Sequence, residues 1–302
     1  MSNSQSLIAQ PSSIHASQSA FTQIHSDQHL ISLWLVTERR RSERTRKEYA
    51  RDIRFFQDHA GLLLREVSLS SLLDYQKSLS GLSFSTQARR MSSLKSLFAF
   101  GFKLGYLPVN VGKVVATPPI ENKLSERILS EEELFRILSL ETNPRNLLLL
   151  KLFYVSAGRI SEVCALRWRN LQPRESGGQI TFFGKGGKTR VVLIPQNLWN
   201  DLQAQRPQNP TPEEVAVFLS QKHSPLSTSQ AWRIVRAAAL RAGVHKGVSP
   251  HWFRHAHISH ALDNGAPIHL VSETAGHSNV SVTSRYTHAR PGESSSSYLK
   301  IK

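Results

Sequence analysis

Cysteine is almost absent, because the 302 residues include only Cys164. A single thiol cannot close a disulfide within the chain, and it cannot supply the several thiolates of a cysteine-based zinc site. So little cysteine is typical of a chain that works in a reducing compartment. We therefore expect a cytoplasmic protein.

Long apolar runs are also missing. The longest, NLLLLKLFYV at 146–155, is interrupted by Lys151 and is shorter than the roughly 20 residues of a membrane-spanning helix. The N-terminus has no basic stretch followed by a long apolar run, so we expect no signal peptide. The sequence thus predicts no membrane partner.

Acidic residues are scarce relative to basic ones. Asp and Glu number 22 against 38 Lys and Arg, which gives a net charge of +16 and a pI near 10.4. Such an excess favours a polyanionic partner, because neutralising phosphates releases condensed counterions. A protein that is basic without such a partner is the alternative, and charge alone separates the two poorly.

Composition and periodicity divide the chain into four parts. Residues 1–20 are rich in Ser and Gln and predict a disordered leader. Helical periodicity over 22–116 predicts a domain of about four helices. Pro118 and Pro119 place a linker at 117–128, and a larger domain is expected over 129–302.

Local signals predict where several elements begin. Thr45 and Glu48 have the spacing of a capping box, and so do Ser130 and Glu133. Gly158 is expected to end one helix just before another. Runs rich in β-formers at 179–183 and 190–194 flank GKGGK and predict a hairpin, with helical patterns at 196–204 and 227–242.

Basic residues are concentrated in two helical segments and near the hairpin tip. Over 39–54, eight Lys or Arg stand against three acids. A solvated helix face is the ordinary reading of such a run, and a face that follows a phosphate backbone is the alternative. The DNA-contact candidates are Arg44, Arg46, Lys47, Arg51, Arg89, Arg90, Lys95 and Lys188.

Arg159 and Lys185 are candidates for contact with an anion. An Arg at a helix N-terminus opposes the helix dipole, unless both the guanidinium and the free N–H groups face an anion. Lys185 lies on a glycine-rich turn that lacks the Walker pattern, because no Ser or Thr follows it before a helix. Taken singly, a surface arginine and a common Gly-Lys turn are the simpler interpretations.

The segment SPHWFRHAHISHAL at 249–262 predicts a helix that begins at Ser249 and Pro250. It places His251 and Arg254 on one face. Its further histidines suggest a metal site, but HExxH is absent and no cysteine or carboxylate completes a ligand set. A packing helix that happens to carry histidines is the alternative.

Six residues together suit one chemistry: Arg159, Lys185, His251, Arg254, His277 and Tyr286. Two guanidinium groups can grip one phosphate and neutralise the charge of a pentavalent transition state. A phenol can attack it if a base takes its proton, and a mobile lysine can protonate the departing alkoxide. The set predicts phosphodiester transesterification with no cofactor and no metal.

In this order and spacing, the motifs GRISEVCALRW, GKGGKTRVVLIP, HWFR and GHSNVSVTSRYTH resemble the tyrosine site-specific recombinase (phage integrase) family, with its bacterial Xer-type members nearest in size. The resemblance implies a mainly α fold with a small β-hairpin or sheet (α+β). It also implies a SAM-like helical core-binding domain at 22–116 and a catalytic domain at 129–302, which form a C-shaped clamp on DNA. Phe253 and Ala275 stand where leucine is more usual, which concerns packing rather than chemistry.

The resemblance also implies residue roles. Tyr286 becomes linked to a 3′-phosphate, Arg159 and Arg254 clamp that phosphate, and His277 donates a hydrogen bond to it. Lys185 is the general acid, His251 accepts the proton of Tyr286, and Glu162 orients the site.

Partners follow from the resemblance as well. They are double-stranded DNA and further copies, in a homotetramer on two DNA sites or a heterotetramer with a paralogue, in the cytoplasm at the nucleoid. A type IB topoisomerase and a non-catalytic DNA-binding relic are the alternatives. The target sequence and the biological role stay open.

Overall fold

The computed structural model describes most of the chain. The described residues are 24–37, 42–119, 124–184, 187, 189–208, 212–244, 247–277 and 279–287. The chain divides into two compact units, Met1–Glu121 and Asn122–Lys302. The predicted leader at 1–20 lies outside the described residues, as do residues 120–123 of the predicted linker.

The first unit is helical throughout its described part. Its helices are α1 (Asp27–Thr37), α2 (Glu43–Ala60), α3 (Leu69–Ser78) and α4 (Phe84–Lys103). Their apolar faces meet around Trp34, Phe56 and Phe98, which are almost fully buried. The helical periodicity read from the sequence is thus confirmed over this region.

The predicted start of α2 is wrong. The helix begins at Glu43, and the side chain of Ser42 caps it by accepting a hydrogen bond from the Thr45 amide. Ser42 offers the same kind of capping oxygen one turn earlier than Thr45. Glu48 pairs with Arg51 instead of closing a capping box.

A buried carboxylate fixes the start of α1 within this unit. Asp27 accepts hydrogen bonds from the Tyr106 hydroxyl (2.7 Å) and the Leu64 amide (2.8 Å). Burial, together with the neighbouring Asp27, raises the pKa of Tyr106 to about 12. The two hydrogen bonds of Asp27 therefore join three segments that are distant in sequence.

The second unit surrounds a small antiparallel sheet with helices. The described helices are α5 (Glu131–Ser139), α6 (Pro144–Ser156), α7 (Ile160–Cys164), α8 (Gln196–Ala204), α9 (Thr228–Arg241), α10 (Pro250–Asp263), α11 (Ile268–Ala275) and α12 (Val280–Thr287). The strands are β1 (Leu171–Arg174), β2 (Gly177–Phe183) and β3 (Thr189–Ile194), in the order β1-β2-β3. The predicted fold class, mainly α with a small antiparallel sheet, is confirmed.

The sheet buries one face and exposes the other near the hairpin. Ile180 and Phe182 on β2 and Val192 and Ile194 on β3 belong to the core of this unit. This alternation is what a half-buried strand requires, and the predicted hairpin is confirmed. None of the described helices is long and apolar enough to cross a membrane.

Candidate active site

Five of the six predicted site residues are described, and they lie on four segments of the second unit. Arg159 is the residue just before α7, His251 and Arg254 lie on α10, His277 follows α11, and Tyr286 lies on α12. Lys185 and Lys188 come between β2 and β3 in the sequence and lie outside the described residues.

Arg159 is oriented by Glu162, one turn along α7. Its Nη1 donates to Glu162 Oε1 (2.9 Å), and its amide donates to Oε2 (2.8 Å). Its Nη2 donates to the carbonyl of Gly276 (3.0 Å), which ties α7 to the end of α11. The guanidinium is thus held by two elements, while 39% of its side chain stays exposed.

Arg190 on β3 is a site residue that sequence reasoning missed. Its Nη1 and Nη2 grip the two oxygens of Glu162 (2.9 and 2.7 Å), and its Nε donates to the Thr274 carbonyl (2.9 Å). Its guanidinium lies over the Phe182 ring, 4.6 Å from the centroid. The alternation of β3 could have indicated it. Arg190 precedes the buried Val192 and Ile194 by two and four residues, so it lies on the same face of the strand as they do.

Glu162 is ionised by its partners despite its burial. Burial by itself raises the pKa of a carboxyl group, but hydrogen bonds from Arg190 and Arg159 and the charge of Arg190 lower the pKa of Glu162 to about 2. The carboxylate therefore stays charged at neutral pH and can anchor both guanidinium groups.

Arg254 is buried beneath the turn that precedes α7. Its Nη1 donates to the Ala157 carbonyl (2.6 Å). Burial, and then the charges of Arg159 and Arg190, lower its pKa to about 10, so it is still a cation at neutral pH. The fold thus holds Arg159 and Arg254 close enough for the charge of one to lower the pKa of the other.

The turn that carries this carbonyl differs from the sequence prediction. Helix α6 ends at Ser156, and Ala157, not Gly158, takes the left-handed conformation with φ of 49°. Gly158 is needed for space, because a Cβ there would come within 2.5 Å of Val163. The prediction that Gly158 ends the helix is therefore wrong.

His277 is presented by the left-handed end of α11. Gly276 has φ of +66° there and caps the helix. Nδ1 of His277 lies 2.8 Å from the hydroxyl of the buried Thr283. Burial, and then the charges of Arg254 and Arg159, lower the pKa of His277 to about 4, so its imidazole is neutral at neutral pH.

Tyr286 is 4% exposed, and its hydroxyl forms a hydrogen bond with His255 on α10. The distance between Oη and Nδ1 is 2.6 Å. Burial raises the pKa of Tyr286 and lowers that of His255 to about 4, so both groups are neutral at neutral pH. His251, predicted as the partner of Tyr286, is exposed and its ring lies 6.4 Å from that of His255.

Two other histidines of α10 have packing roles. His260 contacts the Tyr154 hydroxyl (3.1 Å) and the Leu129 carbonyl (2.9 Å), and the His257 ring meets the Tyr154 ring edge-on. Across the part of the chain that the structure describes, no group of three or more His, Cys, Asp or Glu could hold a metal ion.

The DNA-contact candidates of the first unit lie on α2 and α4. Lys47 pairs with Glu43 (2.8 Å), and Arg51 with Glu48. Arg89 pairs with the fully buried Asp52, near Arg90. Lys95 donates to the Val115 carbonyl. Arg89, Arg90 and Lys95 therefore also hold this unit together.

The side chain of Arg44 lies outside the described residues, and Arg46 is half-buried on α2. None of these observations tests DNA binding, so all eight DNA-contact candidates stay predictions.

The arrangement in the second unit can bind and neutralise a tetrahedral anion. Arg159, Glu162, Arg190, Gly276 and His277 line one open groove. The groove offers fixed positive charge and a neutral imidazole, which suits an oxyanion or a phosphate diester. The phenol of Tyr286 is buried in a neighbouring cluster with Ala157 and Ala275, next to the carbonyls that accept hydrogen bonds from Arg254 and Arg159.

Comparison with known proteins gives matches over both units. Residues 127–293 match the phage integrase family, and residues 30–103 match the phage integrase N-terminal SAM-like domain. Tyrosine recombinase XerC of Xanthomonas campestris pv. campestris (strain B100) is 32% identical over 212 residues, which cover 69% of this chain. The chain spans 65% of the length of that relative.

Other relatives match over more of their length. Tyrosine recombinase XerD of Corynebacterium glutamicum is 30% identical over 284 residues, which cover 86% of this chain and 93% of the relative. A XerH recombinase bound to a palindromic difH substrate has a TM-score of 0.68 at 21% identity, over 87% of this chain and 81% of that one. A lambda integrase dimer bound to a COC′ core site has a TM-score of 0.71 at 15% identity, over 92% and 80%. At such low identity, these two structures show the fold alone.

Proposed function

This chain belongs to the phage integrase family, and from that premise we propose that it is a tyrosine recombinase that cuts and rejoins DNA through a covalent phosphotyrosine. The nucleophile is Tyr286, which becomes joined to the 3′-phosphate and releases a 5′-hydroxyl. The bond energy is kept in the phosphotyrosine, so rejoining needs neither ATP nor a ligase.

One observation carries this proposal. Arg159 and Arg254 donate to the carbonyls of Gly276 and Ala157, at the ends of α11 and α6. His277 follows the same end of α11, and Tyr286 is buried in one cluster with Ala157 and Ala275. These groups interact electrostatically: after burial, the charge of Arg254 is the next cause of the lowered pKa of His277, and it opposes the rise in the pKa of Tyr286 that burial causes. A scaffold that gathers two cations around a neutral imidazole and a phenol suits phosphate chemistry.

In the proposed reaction, two arginines and a histidine bind the scissile phosphate. Arg159 and Arg254 bind the non-bridging oxygens and stabilise the charge of the pentavalent transition state. His277 is neutral at pH 7, and a ring N–H can donate to the same phosphate. This positive charge does the work that a metal ion does at other phosphoryl-transfer sites, so we propose a reaction without a metal.

Two proton transfers complete the proposed step. The phenol must lose its proton as the O–P bond forms, because a neutral phenol is a poor nucleophile. We assign His251 as the acceptor, since it is exposed on α10 one turn before His255, which holds the Tyr286 hydroxyl. Lys185 protonates the departing 5′-oxygen, and the 5′-hydroxyl then leaves.

The position of Tyr286 means that DNA must change this site before cleavage. At 4% exposure, the hydroxyl cannot meet a phosphate while it is bonded to His255. Helix α12 must shift, or the side chain must rotate, to break that hydrogen bond. We propose that DNA binding supplies the free energy for this step, which would keep the unbound enzyme from cutting.

The proposed partners are double-stranded DNA and further copies of the chain or a paralogue, in a tetramer on two DNA sites. The net charge of +16 supports an anionic partner. We place the enzyme in the cytoplasm at the nucleoid. Dimer resolution, integration, excision and programmed rearrangement are the roles open to such an enzyme.

A trapping experiment tests the proposal. The full chain first selects a bound sequence from a random duplex pool, and that duplex is then built with a nick beside the scissile phosphate. Loss of the short 5′-hydroxyl fragment prevents rejoining, so wild-type protein should form an adduct that survives denaturation. Tyr286→Phe should bind the duplex but form no adduct, and EDTA should leave the wild-type yield unchanged.

Other outcomes would favour the alternatives. Relaxation of supercoiled DNA with no selected sequence would point to a type IB topoisomerase. Specific binding with no adduct from wild-type protein would point to a non-catalytic DNA-binding protein. An adduct formed by Tyr286→Phe would refute the assignment of the nucleophile.

A further inference from the structure

We propose that Arg190 is a positioning residue that acts as the counterion of Glu162, so that the charge of Arg159 stays available to the DNA phosphate. This inference rests on the proposed function, because it assigns a task to Arg159 during strand cleavage. It adds a residue from the strand that follows the hairpin lysine.

The contacts show an unequal division of Glu162 between two arginines. Arg190 engages both carboxylate oxygens through its two terminal nitrogens, at 2.9 and 2.7 Å. The guanidinium of Arg159 reaches only Oε1 of Glu162, at 2.9 Å. A bidentate pair is stronger and better oriented than a single hydrogen bond, so Arg190 is the principal partner.

The charges give this division a consequence. Two guanidinium groups on one carboxylate leave a net charge of about +1 in the cluster. Without Arg190, Glu162 and Arg159 would form a neutral pair, and the buried carboxylate would compete with phosphate for Arg159. Such competition is strong where water is excluded, because the effective dielectric constant is low.

Exposure separates the roles of the two arginines. The side chain of Arg190 is 9% exposed, whereas that of Arg159 is 39% exposed. The Nε of Arg190 also donates a hydrogen bond to the Thr274 carbonyl, and its guanidinium lies over the Phe182 ring. Arg159 can therefore meet DNA, and Arg190 acts on the phosphate through it.

The same guanidinium connects three parts of the site. It lies on β3, binds α7 through Glu162, and binds α11 through Thr274, three residues before His277. Its Cδ, Nε and Nη1 pack so closely on Gly276 that an added Cβ would lie 3.0–3.3 Å from them. Arg190 thus packs against Gly276, whose carbonyl accepts a hydrogen bond from Arg159.

Four variants of the full chain test the counterion role: Arg190→Met, Arg190→Lys, Glu162→Gln and Arg190→Met with Glu162→Gln. The measurement is the single-turnover rate of adduct formation on the nicked duplex at saturating protein. DNA affinity and thermal unfolding are measured beside it. Arg241→Met is the matched control, because Arg241 pairs with the buried Glu141 of the same unit, away from the groove.

Arg190→Met should lower the cleavage rate about 100-fold, since displacement of a catalytic group by about 1 Å costs that much. DNA affinity should change little, because it is spread over many phosphate contacts. Arg190→Lys should keep part of the rate, because it retains the charge but loses the bidentate geometry. Arg241→Met should lower thermal stability and leave the rate of the folded protein unchanged.

The double variant separates a counterion from a merely structural residue. Once Glu162→Gln has removed the carboxylate, Arg190 has no charge to balance. Arg190→Met should then change the rate by less than about threefold, and the double variant should cut faster than Arg190→Met alone. The comparison of the double variant with Glu162→Gln holds even if Arg190→Met alone is too unstable to assay.

Additive losses would overturn the inference. If Arg190→Met lowers the rate by the same factor with Glu162 or Gln at position 162, Arg190 does not act through that carboxylate. Wild-type rates in Arg190→Met would also overturn it. If wild-type protein forms no adduct at all, the proposed function fails instead.

Discussion

Gly276→Ala should slow DNA cleavage far more than its effect on stability would explain. Gly276 has φ of +66°, and its carbonyl accepts a hydrogen bond from Arg159. It also lies against the guanidinium of Arg190. A methyl group at this position therefore disturbs both arginines that bind Glu162.

The magnitude follows from two contributions. The left-handed conformation costs a residue with a Cβ roughly 1 kcal/mol or more. The new Cβ would lie 3.0 Å from Cδ and 3.3 Å from Nε and Nη1 of Arg190, which must move by a few tenths of an ångström. Because that guanidinium is held by three hydrogen bonds, we expect a total loss of about 2 kcal/mol in the free energy of unfolding.

The cleavage rate should fall about 100-fold, because the shift displaces the groups that we propose to orient the phosphate. Gly265→Ala is the matched control. Gly265 also has positive φ (+81°) in the same unit, but a Cβ there would meet no atom within 4 Å. It should lose about 1 kcal/mol of stability and keep the wild-type rate per folded molecule.

The assay is single-turnover adduct formation on the nicked duplex, at a temperature where both variants are folded by circular dichroism. Equal rates for Gly276→Ala and wild type would show that close packing at this position does not set the geometry of the arginines. Equal losses in the two alanine variants would show that backbone strain alone accounts for the effect.

Three further predictions concern stability and DNA affinity. The free energy of unfolding should fall as the pH drops from about 6.5 to about 4. His255, His257 and His277 have a folded pKa of about 4, so the unfolded chain binds their protons at a higher pH than the folded chain does. Urea unfolding across this pH range measures the effect, and a free energy of unfolding that does not change with pH would contradict the assigned pKa values. If Lys47 contacts a phosphate, Lys47→Met should weaken DNA binding and reduce the slope of log affinity against log salt concentration by about 1. Lys77 on α3 is a similarly exposed lysine, and Lys77→Met should leave that slope unchanged. Tyr106→Phe should cost about 1–3 kcal/mol, because buried Asp27 loses a hydrogen bond; unchanged denaturant midpoints would count against that role.

Local patterns predicted the elements well where one signal dominates. The hairpin follows from alternation within β2 and β3, and α8 spans Gln196–Ala204, the helix expected over 196–204. The capping box of Ser130 and Glu133 is present at the start of α5. Strand β1 was missed, because Leu171–Arg174 contains a proline and no apolar alternation.

Long-range contacts could not be predicted in the same way. Arg190 and Glu162 are 28 residues apart, and His255 and Tyr286 are 31 apart. Each contact depends on packing between elements, which no local pattern records. The sequence could name a set of phosphate-binding residue types, but the partner that holds each one depends on the folded core.

Peptide mapping of the covalent adduct tests directly whether Tyr286 is the nucleophile. The trapped complex would be digested with protease, and the DNA-linked peptide identified by mass spectrometry. We predict one linkage, between the Tyr286 oxygen and a 3′-phosphate, with a free 5′-hydroxyl on the released strand. Linkage to any other residue, or to a 5′-phosphate, would contradict it.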